Sequence, residues 1–422
     1  MRLIFYITLL CFSVLIPALS QKLKPNKVLT IDDALYFAFS KNPHLLSLKN
    51  QIDEASARPL KGLGLRNPEF LFMKEGIQRE SGKGFVEKRQ TISQSLDFPV
   101  TGFLRMQRLG SEKKALEYKY EQEKIRIKAA VKKAYTQIVY TIRISQLRER
   151  ELSIAEELNR TAVSRFEAGD ASEMELLRTE IQKAEAKNDV AYAKKIYHEA
   201  RYELFKLIGL DPEEQQYGIT FPDTLVFLEA DIAQEEIMER LEEQPGIISA
   251  NRNISAAISG VREAWSSFLP DLSLSLYRQD YGFGYDFYGF EIGFSIPLWF
   301  FSNEIPEIRV ARAQYRQAIT NKIGSELEMK KEIEDAWHAY HTSREIVDRY
   351  QEVIKERSEK LLEYTLEGYR LGEVDLIILL DNQRTYLNSI QRFYDALRDY
   401  YMRLIDLEKY LDRDLVFNYE EN

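Results

Sequence analysis

The sequence predicts a mainly α-helical fold with a small transmembrane β part, built from two related halves. Three observations support this prediction: an internal repeat, pairs of segments with period-two alternation, and two long segments without proline. The 422 residues are 45% hydrophobic and 30% charged, a composition typical of folded proteins. The formal net charge of −9 argues against nucleic acid as a partner, because phosphate binding needs a basic surface.

The first twenty residues have the pattern of a secretory signal peptide. Arg2 precedes an apolar run of about fifteen residues, and Ala18 and Ser20 form a small-residue cleavage site, so we expect residues 1–20 to be removed. An uncleaved membrane anchor is the alternative, although the run is shorter than the ~20 residues that span a bilayer. Cys11, the only cysteine, lies in this segment, which leaves the mature chain without a disulfide or a cysteine metal site.

An internal repeat divides the rest of the chain. Several residues recur in the same order at a spacing of about 200 residues, which indicates a duplicated unit. We expect a first unit at 21–210, a connector at 211–230, a second unit at 231–412 and a C-terminal tail at 413–422. The matched pairs are Pro43 and Pro245, Pro68 and Pro270, and Gly169 and Gly372.

Each unit is predicted to open with a helix of about thirty residues and to continue with two strands. The strands are expected at about 68–77 and 86–98, and at about 270–281 and 286–297. In the second unit, large apolar residues such as Leu274 and Phe290 alternate with small or polar residues such as Ser275 and Gly289. The alternation is weaker in the first unit, where Lys74 falls on the expected outward face.

The alternating strands have two interpretations. In a soluble sandwich the apolar face would point to a protein core, whereas strands of about ten residues flanked by aromatic residues are typical of a membrane barrel. The aromatic residues at the two strand ends favour the membrane interpretation. They are Tyr281, Phe283 and Tyr285 at the turn, and Trp299, Phe300 and Phe301 at the far end.

Long helices are expected in two segments that lack proline beyond their first turn. The segments from about Gly102 to Phe166 and from about Glu304 to Glu367 would form rods of about 95 Å at 1.5 Å per residue. A glycine ends each rod and a second helix runs back, which gives helical hairpins at about 102–210 and 303–411. In the first hairpin, Ser172 and Glu175 have the spacing of a capping box.

The number of strands indicates an oligomer. Four strands are too few to close a transmembrane barrel, because the smallest such barrels have about eight strands. Three chains would supply twelve strands and an open lumen, whereas about eight strands fill their own interior. The helical rods would extend that cylinder beyond the membrane, so the predicted assembly is a duct.

The chain resembles the TolC-like outer-membrane efflux proteins of Gram-negative bacteria. The similar motifs are LTIDDALYFAFSKNPHL, RNPEF, SQSLDFPVTG, RFEAGDASEMELLRTE, LFKLIGLDP and GYRLGEVDLIILLDNQRTYL, which together extend over residues 29–412. The resemblance implies a homotrimer with a twelve-stranded β-barrel in the outer-membrane lipid, continued by a coiled-coil α-helical barrel across the periplasm. It also implies a periplasmic adaptor and an inner-membrane pump, in a tripartite efflux or type I secretion system. The motifs also resemble those of the heavy-metal-efflux branch of this family.

The resemblance further implies a periplasmic constriction near the hairpin turns at Gly169 and Gly372. It assigns Tyr369 and Asp381 to this constriction, with Asp375 and Glu175 as further acidic residues. Ile378 stands where the family often has a second aspartate, and Val374 stands where it can have arginine. The alternative for Asp381 is a solvated carboxylate on a helix surface.

Other function classes have little support in the sequence. It lacks a glycine-rich phosphate loop, a nucleophile elbow and an HExxH motif, so we expect neither an enzyme nor a bound cofactor. The four histidines are scattered, which does not indicate a metal site. The second hypothesis is a secreted, soluble periplasmic coiled-coil scaffold or adaptor, which fractionation would separate from an outer-membrane duct.

Overall fold

The computed structural model describes residues 28–416, except residues 63, 77–85, 212–218, 223, 228, 231, 282–285 and 412. Helices dominate the described part, and a four-stranded sheet accompanies them, which confirms the predicted fold class of the chain. The predicted signal peptide and two of the predicted interface aromatics, Phe283 and Tyr285, lie outside the described residues. Within these ranges, no helix combines the length and the apolar character that crossing a membrane requires.

The elements follow the same order in both units. The first unit contains α1 (Ile31–Lys41), α2 (Pro43–Lys61), β1 (Glu69–Glu75), β2 (Glu87–Leu96), α3 (Pro99–Ala168) and α4 (Glu173–Leu207). The second unit contains α5 (Gln234–Glu239), a 3-10 turn (Leu241–Glu243), α6 (Pro245–Ser266), β3 (Leu272–Asp280), β4 (Asp286–Phe294), α7 (Glu304–Arg349), a π-helical segment (Tyr350–Ile354), α8 (Lys355–Arg370) and α9 (Leu376–Glu408).

The helical segment that opens each unit is broken, in contrast to the single helix expected there. Asn42 and Gln244 have extended backbones, with ψ of 122° and 132°, directly before Pro43 and Pro245. The reason is steric, because a residue before proline avoids the α conformation, while proline itself fits the first position of a helix. Asn42 also fixes the break, since its Nδ2 donates a 2.8 Å hydrogen bond to the carbonyl of Leu207 at the end of α4.

The two long rods differ from each other. Helix α3 runs without interruption for 70 residues, about 105 Å at 1.5 Å per residue. The corresponding rod of the second unit is interrupted by the π-helical segment Tyr350–Ile354 between α7 and α8. No glycine or proline marks that segment in the sequence. The backbone remains helical through it, with αR conformations at Tyr350 and Ile354, so the rod expected from Glu304 to Glu367 contains a local change of helix type.

The sheet is antiparallel, in the order β1-β2-β3-β4, and its two faces differ. The register aligns Phe70, Ile92, Leu276 and Phe290 in one row, and Leu276 and Phe290 are 67% and 72% exposed in the single chain. This face is called the apolar face below. Lys74 lies on it, but in the terminal row with Lys88, Asp280 and Asp286, at the end of the strands.

The largest core lies where the connector packs against both hairpins. Tyr135 of α3 donates a 3.1 Å hydrogen bond to the carbonyl of Leu29, and Tyr401 of α9 donates a 2.6 Å bond to the carbonyl of Val226. Tyr340 of α7 donates to the carbonyl of Ala230. Backbone carbonyls that are buried without a partner cost free energy, so these hydroxyls allow the connector and the irregular segment before α1 to be packed into an apolar core.

Candidate gate at the helical-hairpin turns

The two hairpins turn through the same backbone motif. Gly169 and Gly372 follow α3 and α8 with φ of 84° and 76°, a conformation that a Cβ atom disfavours. In the first turn the amide of Asp170 donates to the carbonyl of Arg165, and in the second the amide of Glu373 donates to that of Gly368, both at 2.8 Å. This is the Schellman pattern, which satisfies the last carbonyls of a helix.

The side chain of Glu175 connects the first turn to the second hairpin. Ser172 caps α4 as the sequence predicts, since its Oγ accepts the amide of Glu175 at 3.2 Å. A complete capping box would return the Glu175 carboxylate to the backbone of Ser172. That carboxylate is directed towards α8, where its Oε1 accepts a 2.7 Å hydrogen bond from the hydroxyl of Tyr369.

Tyr369 is buried between the hairpins and is 1% exposed. Its neighbours are Leu158 of α3 and Leu379 of α9, and the guanidinium of Arg165 lies 5.1 Å from its ring centroid. Arg165 Nη1 is also 3.6 Å from Glu175 Oε1. Burial, followed by the hydrogen bond to Glu175, raises the pKa of Tyr369 to about 12, so its hydroxyl remains a donor at physiological pH.

A second contact joins the hairpins at the surface. Arg370, next to Tyr369, forms an ion pair with Glu157 of α3 and lies 3.7 Å from Glu367 one turn earlier. Both partners of the pair across the hairpins are about half exposed, and exposed ion pairs contribute only about 0.2–1 kcal/mol. The Tyr369–Glu175 bond is partly buried, and hydrogen bonds to charged groups contribute about 1.5–3 kcal/mol, so it is the stronger link between the turns.

The predicted acidic residues on α9 do not join this cluster. Asp381 is 60% exposed at its side chain and pairs with Arg384 of the same helix at 2.6 Å. Asp375 is exposed at the position before α9 and makes no side-chain capping bond. The structure thus brings together Tyr369 and Glu175 of the four predicted constriction residues.

Val374 and Ile378, the two departures from the family pattern, lie in and directly after the second turn. Val374 packs against Gly368, where an added Cβ would approach Val374 Cγ2 to 2.6 Å. Ile378 is 51% exposed on the first turns of α9. Apolar side chains therefore occupy the two positions at which the family can have an arginine or an aspartate.

Aromatic residues lie at both ends of the sheet, as far as the structure describes them. Trp299, Phe300 and Phe301 follow β4 and are 67%, 45% and 59% exposed, with ring centroids of Phe301 about 6 Å from each of the other two. Tyr281 follows β3 at the opposite end, is 47% exposed and lies 6.2 Å from Phe287. The predicted role of these rings at the membrane interface remains a prediction.

The sequence did not indicate Arg165 or the pair of Arg370 and Glu157. The contact of Arg165 with Tyr369 and the pair of Arg370 with Glu157 each join different hairpins, and no short-range spacing links such partners. In the part of the chain that the structure describes, no group of three or more His, Cys, Asp or Glu residues is placed to hold a metal ion.

The chain combines an amphipathic four-stranded sheet with two long helical hairpins. The chain belongs to the outer membrane efflux protein family, whose model matches residues 101–210 and 237–413. It is accordingly an outer-membrane protein of the efflux class. Comparison with curated proteins gave no match.

Solved structures with the same fold include three outer-membrane proteins. The CmeC outer membrane channel of Campylobacter jejuni has a TM-score of 0.78 and 19% identity, with 93% of this chain and 90% of that chain covered. The outer membrane protein VceC of Vibrio cholerae gives 0.76 and 16%, with coverages of 89% and 94%. The open state of the Neisseria gonorrhoeae MtrE outer membrane channel gives 0.71 and 17%, with coverages of 90% and 88%.

Proposed function

We propose that three copies of this chain form the exit duct of a tripartite efflux or type I secretion system. The duct passes substrates from a periplasmic adaptor and an inner-membrane pump through the outer membrane to the exterior. The family supplies the efflux class. The oligomeric state, the partners and the gate are the parts that we propose.

The sheet supports the trimer. Strands β1 and β4 are the two edges of the four-stranded sheet in the single chain, and unpaired edges are open to pairing with another chain. Pairing β4 of one copy with β1 of the next closes a barrel of twelve strands when three copies take part. The apolar face then contacts lipid and the opposite face lines the lumen.

The hydrogen bond between Tyr369 and Glu175 is the observation that supports a gate. It links the turn of one hairpin to the other hairpin, at the end of the helices remote from the sheet. Hydrogen bonds to charged groups contribute about 1.5–3 kcal/mol, so docking of a partner protein could break this link without unfolding the helices. We assign the closed state to the linked arrangement and the open state to separated hairpins.

Crosslinking in cells tests the proposed partners. Cysteines introduced at Leu371 and Met174, which are 65% and 70% exposed near the two turns, would carry a short crosslinker. The proposal predicts that an adaptor-like periplasmic protein is captured there and that an inner-membrane pump co-purifies. A matched cysteine at Leu60, 73% exposed on α2 near the sheet, should not capture it. Equal capture at all three positions would contradict docking at the turns.

A further inference from the structure

The charged residues on the sheet face opposite the apolar face are mostly acidic. Strand alternation and the observed register assign every second residue to this face, which is called the polar face below. Small residues such as Ser275 and Gly293 occupy much of it. Its charged residues within the four described strands are four carboxylates and a single cation: Glu69, Glu75, Glu87, Glu291 and Arg89.

Arg89 contacts residues of both β3 and β4 on the polar face. It forms an ion pair with Glu291, which crosses from β2 to β4 over the intervening strand β3. Its guanidinium carbon lies 4.1 Å from the ring centroid of Tyr277 on β3, a cation–π distance. Tyr277 in turn lies over Gly289 of β4, where an added Cβ would overlap the ring. The side chain of Arg89 is 27% exposed and that of Glu291 is 54% exposed.

We infer that Arg89 limits the cation selectivity of the barrel lumen by neutralising Glu291. This inference rests on the proposed duct, in which the polar face lines the lumen and three copies place three such pairs around it. The remaining carboxylates already favour cations, and the loss of Arg89 would add the unpaired charge of Glu291 in each copy. One unpaired charge about 8 Å from an ion in water changes the local ion concentration about twofold.

Reversal potentials measured across a potassium chloride gradient test this inference. The purified protein is reconstituted into planar lipid bilayers at low ionic strength, where screening is weak. Arg89→Gln should raise the ratio of potassium to chloride permeability by about twofold or more. Glu291→Gln should shift the ratio towards chloride, because Arg89 is then unpaired. The double variant should return close to the wild-type value, and Arg89→Lys should retain it.

A second ion pair of the same sheet provides the matched control. Arg278 and Asp286 lie on the apolar face, 2.5 Å apart between Nη2 and Oδ2, on β3 and β4. Arg278→Gln and Asp286→Asn should leave the reversal potential unchanged. Shifts as large as those of the Arg89 and Glu291 variants would overturn the assignment of the faces.

The remaining outcomes separate this inference from the proposed function. Channels in which Arg89→Gln and Glu291→Gln both keep the wild-type permeability ratio would overturn the inference and leave the duct intact. A wild-type protein that forms no channels would overturn the proposed function, and the inference with it.

Discussion

The hydroxyl of Tyr369 on α8 donates a 2.7 Å hydrogen bond to Oε1 of Glu175 on α4, and this bond joins the turns of the two helical hairpins. The two residues lie 194 positions apart in the chain, on different helical hairpins. Their contact therefore depends on the packing of one hairpin against the other. A change in that packing would separate them, which is the property required of a gate.

Removal of the Tyr369 hydroxyl should weaken the closed state. Tyr369→Phe keeps the buried ring but leaves Glu175 without this donor, so we expect a higher open probability in planar bilayers, by about tenfold or more for a loss of about 1.5–3 kcal/mol. Tyr386→Phe is the matched control. Tyr386 is 2% exposed on α9, and no hydrogen bond of its hydroxyl is seen among the described residues. Equal open probabilities for wild type and Tyr369→Phe would contradict the gate.

Substitution of a turn glycine by alanine should lower the stability of the fold, whereas the same substitution at a helical glycine should raise it. Gly169→Ala and Gly372→Ala meet no neighbouring atom within 4 Å, so their cost is the strain of positive φ, about 1–2 kcal/mol each. Gly324 in α7 also has free space, and Gly324→Ala should stabilise the helix by up to about 1 kcal/mol. Thermal unfolding followed by circular dichroism measures both. A stabilised Gly372→Ala variant would contradict the observed turn.

Asp381 should affect ion passage if three copies surround the lumen. Asp381→Ala is expected to lower cation selectivity or to raise the conductance of the trimer, because three carboxylates near one axis attract cations and narrow the passage. The ion pair with Arg384 reduces this effect, so Arg384→Ala should change selectivity in the opposite direction. Single-channel recordings decide the question. Unchanged selectivity and conductance in Asp381→Ala would contradict the assignment of Asp381 to the constriction.

The carboxylate of Asp406 should make stability dependent on pH. Burial alone would raise its pKa, but the nearby ammonium groups of Lys133 and Lys409 outweigh burial and lower the pKa of Asp406. A lowered pKa in the folded state stabilises the fold above the unfolded value of about 3.9, and this contribution disappears as the pH falls through the folded value.

The corresponding experiment compares Asp406→Asn with wild type. The variant should unfold at a lower temperature at pH 7, and the difference should shrink below about pH 4. Asp399→Asn is a control, because Asp399 pairs at 2.9 Å with the adjacent Arg398 and is 56% exposed. A constant difference from pH 7 to pH 3 for Asp406→Asn would contradict the role of the ion pairs.

Much of the architecture follows from regular patterns in the sequence. Period-two alternation from Leu272 to Leu276 depends on a strand having two faces, and the glycines at 169 and 372 mark left-handed turns that other residues avoid. The breaks before Pro43 and Pro245 could also have been predicted, because proline restricts the residue that precedes it.

The candidate gate depends on contacts that no local pattern encodes. The spacing of Ser172 and Glu175 predicts a capping box, yet the carboxylate binds Tyr369, because the packing of the hairpins brings that hydroxyl within reach. Arg89 and Glu291 meet only through the strand order β2-β3-β4. The π-helical segment Tyr350–Ile354 contains no glycine or proline that would mark it in the sequence.

The mass and location of the assembled protein test the central proposal most directly. Outer membranes are washed with high salt and solubilised in mild detergent, and the mass of the complex is measured by native mass spectrometry. We predict that the protein remains with the outer membrane and has the mass of three chains. Recovery as a soluble periplasmic monomer would contradict the duct.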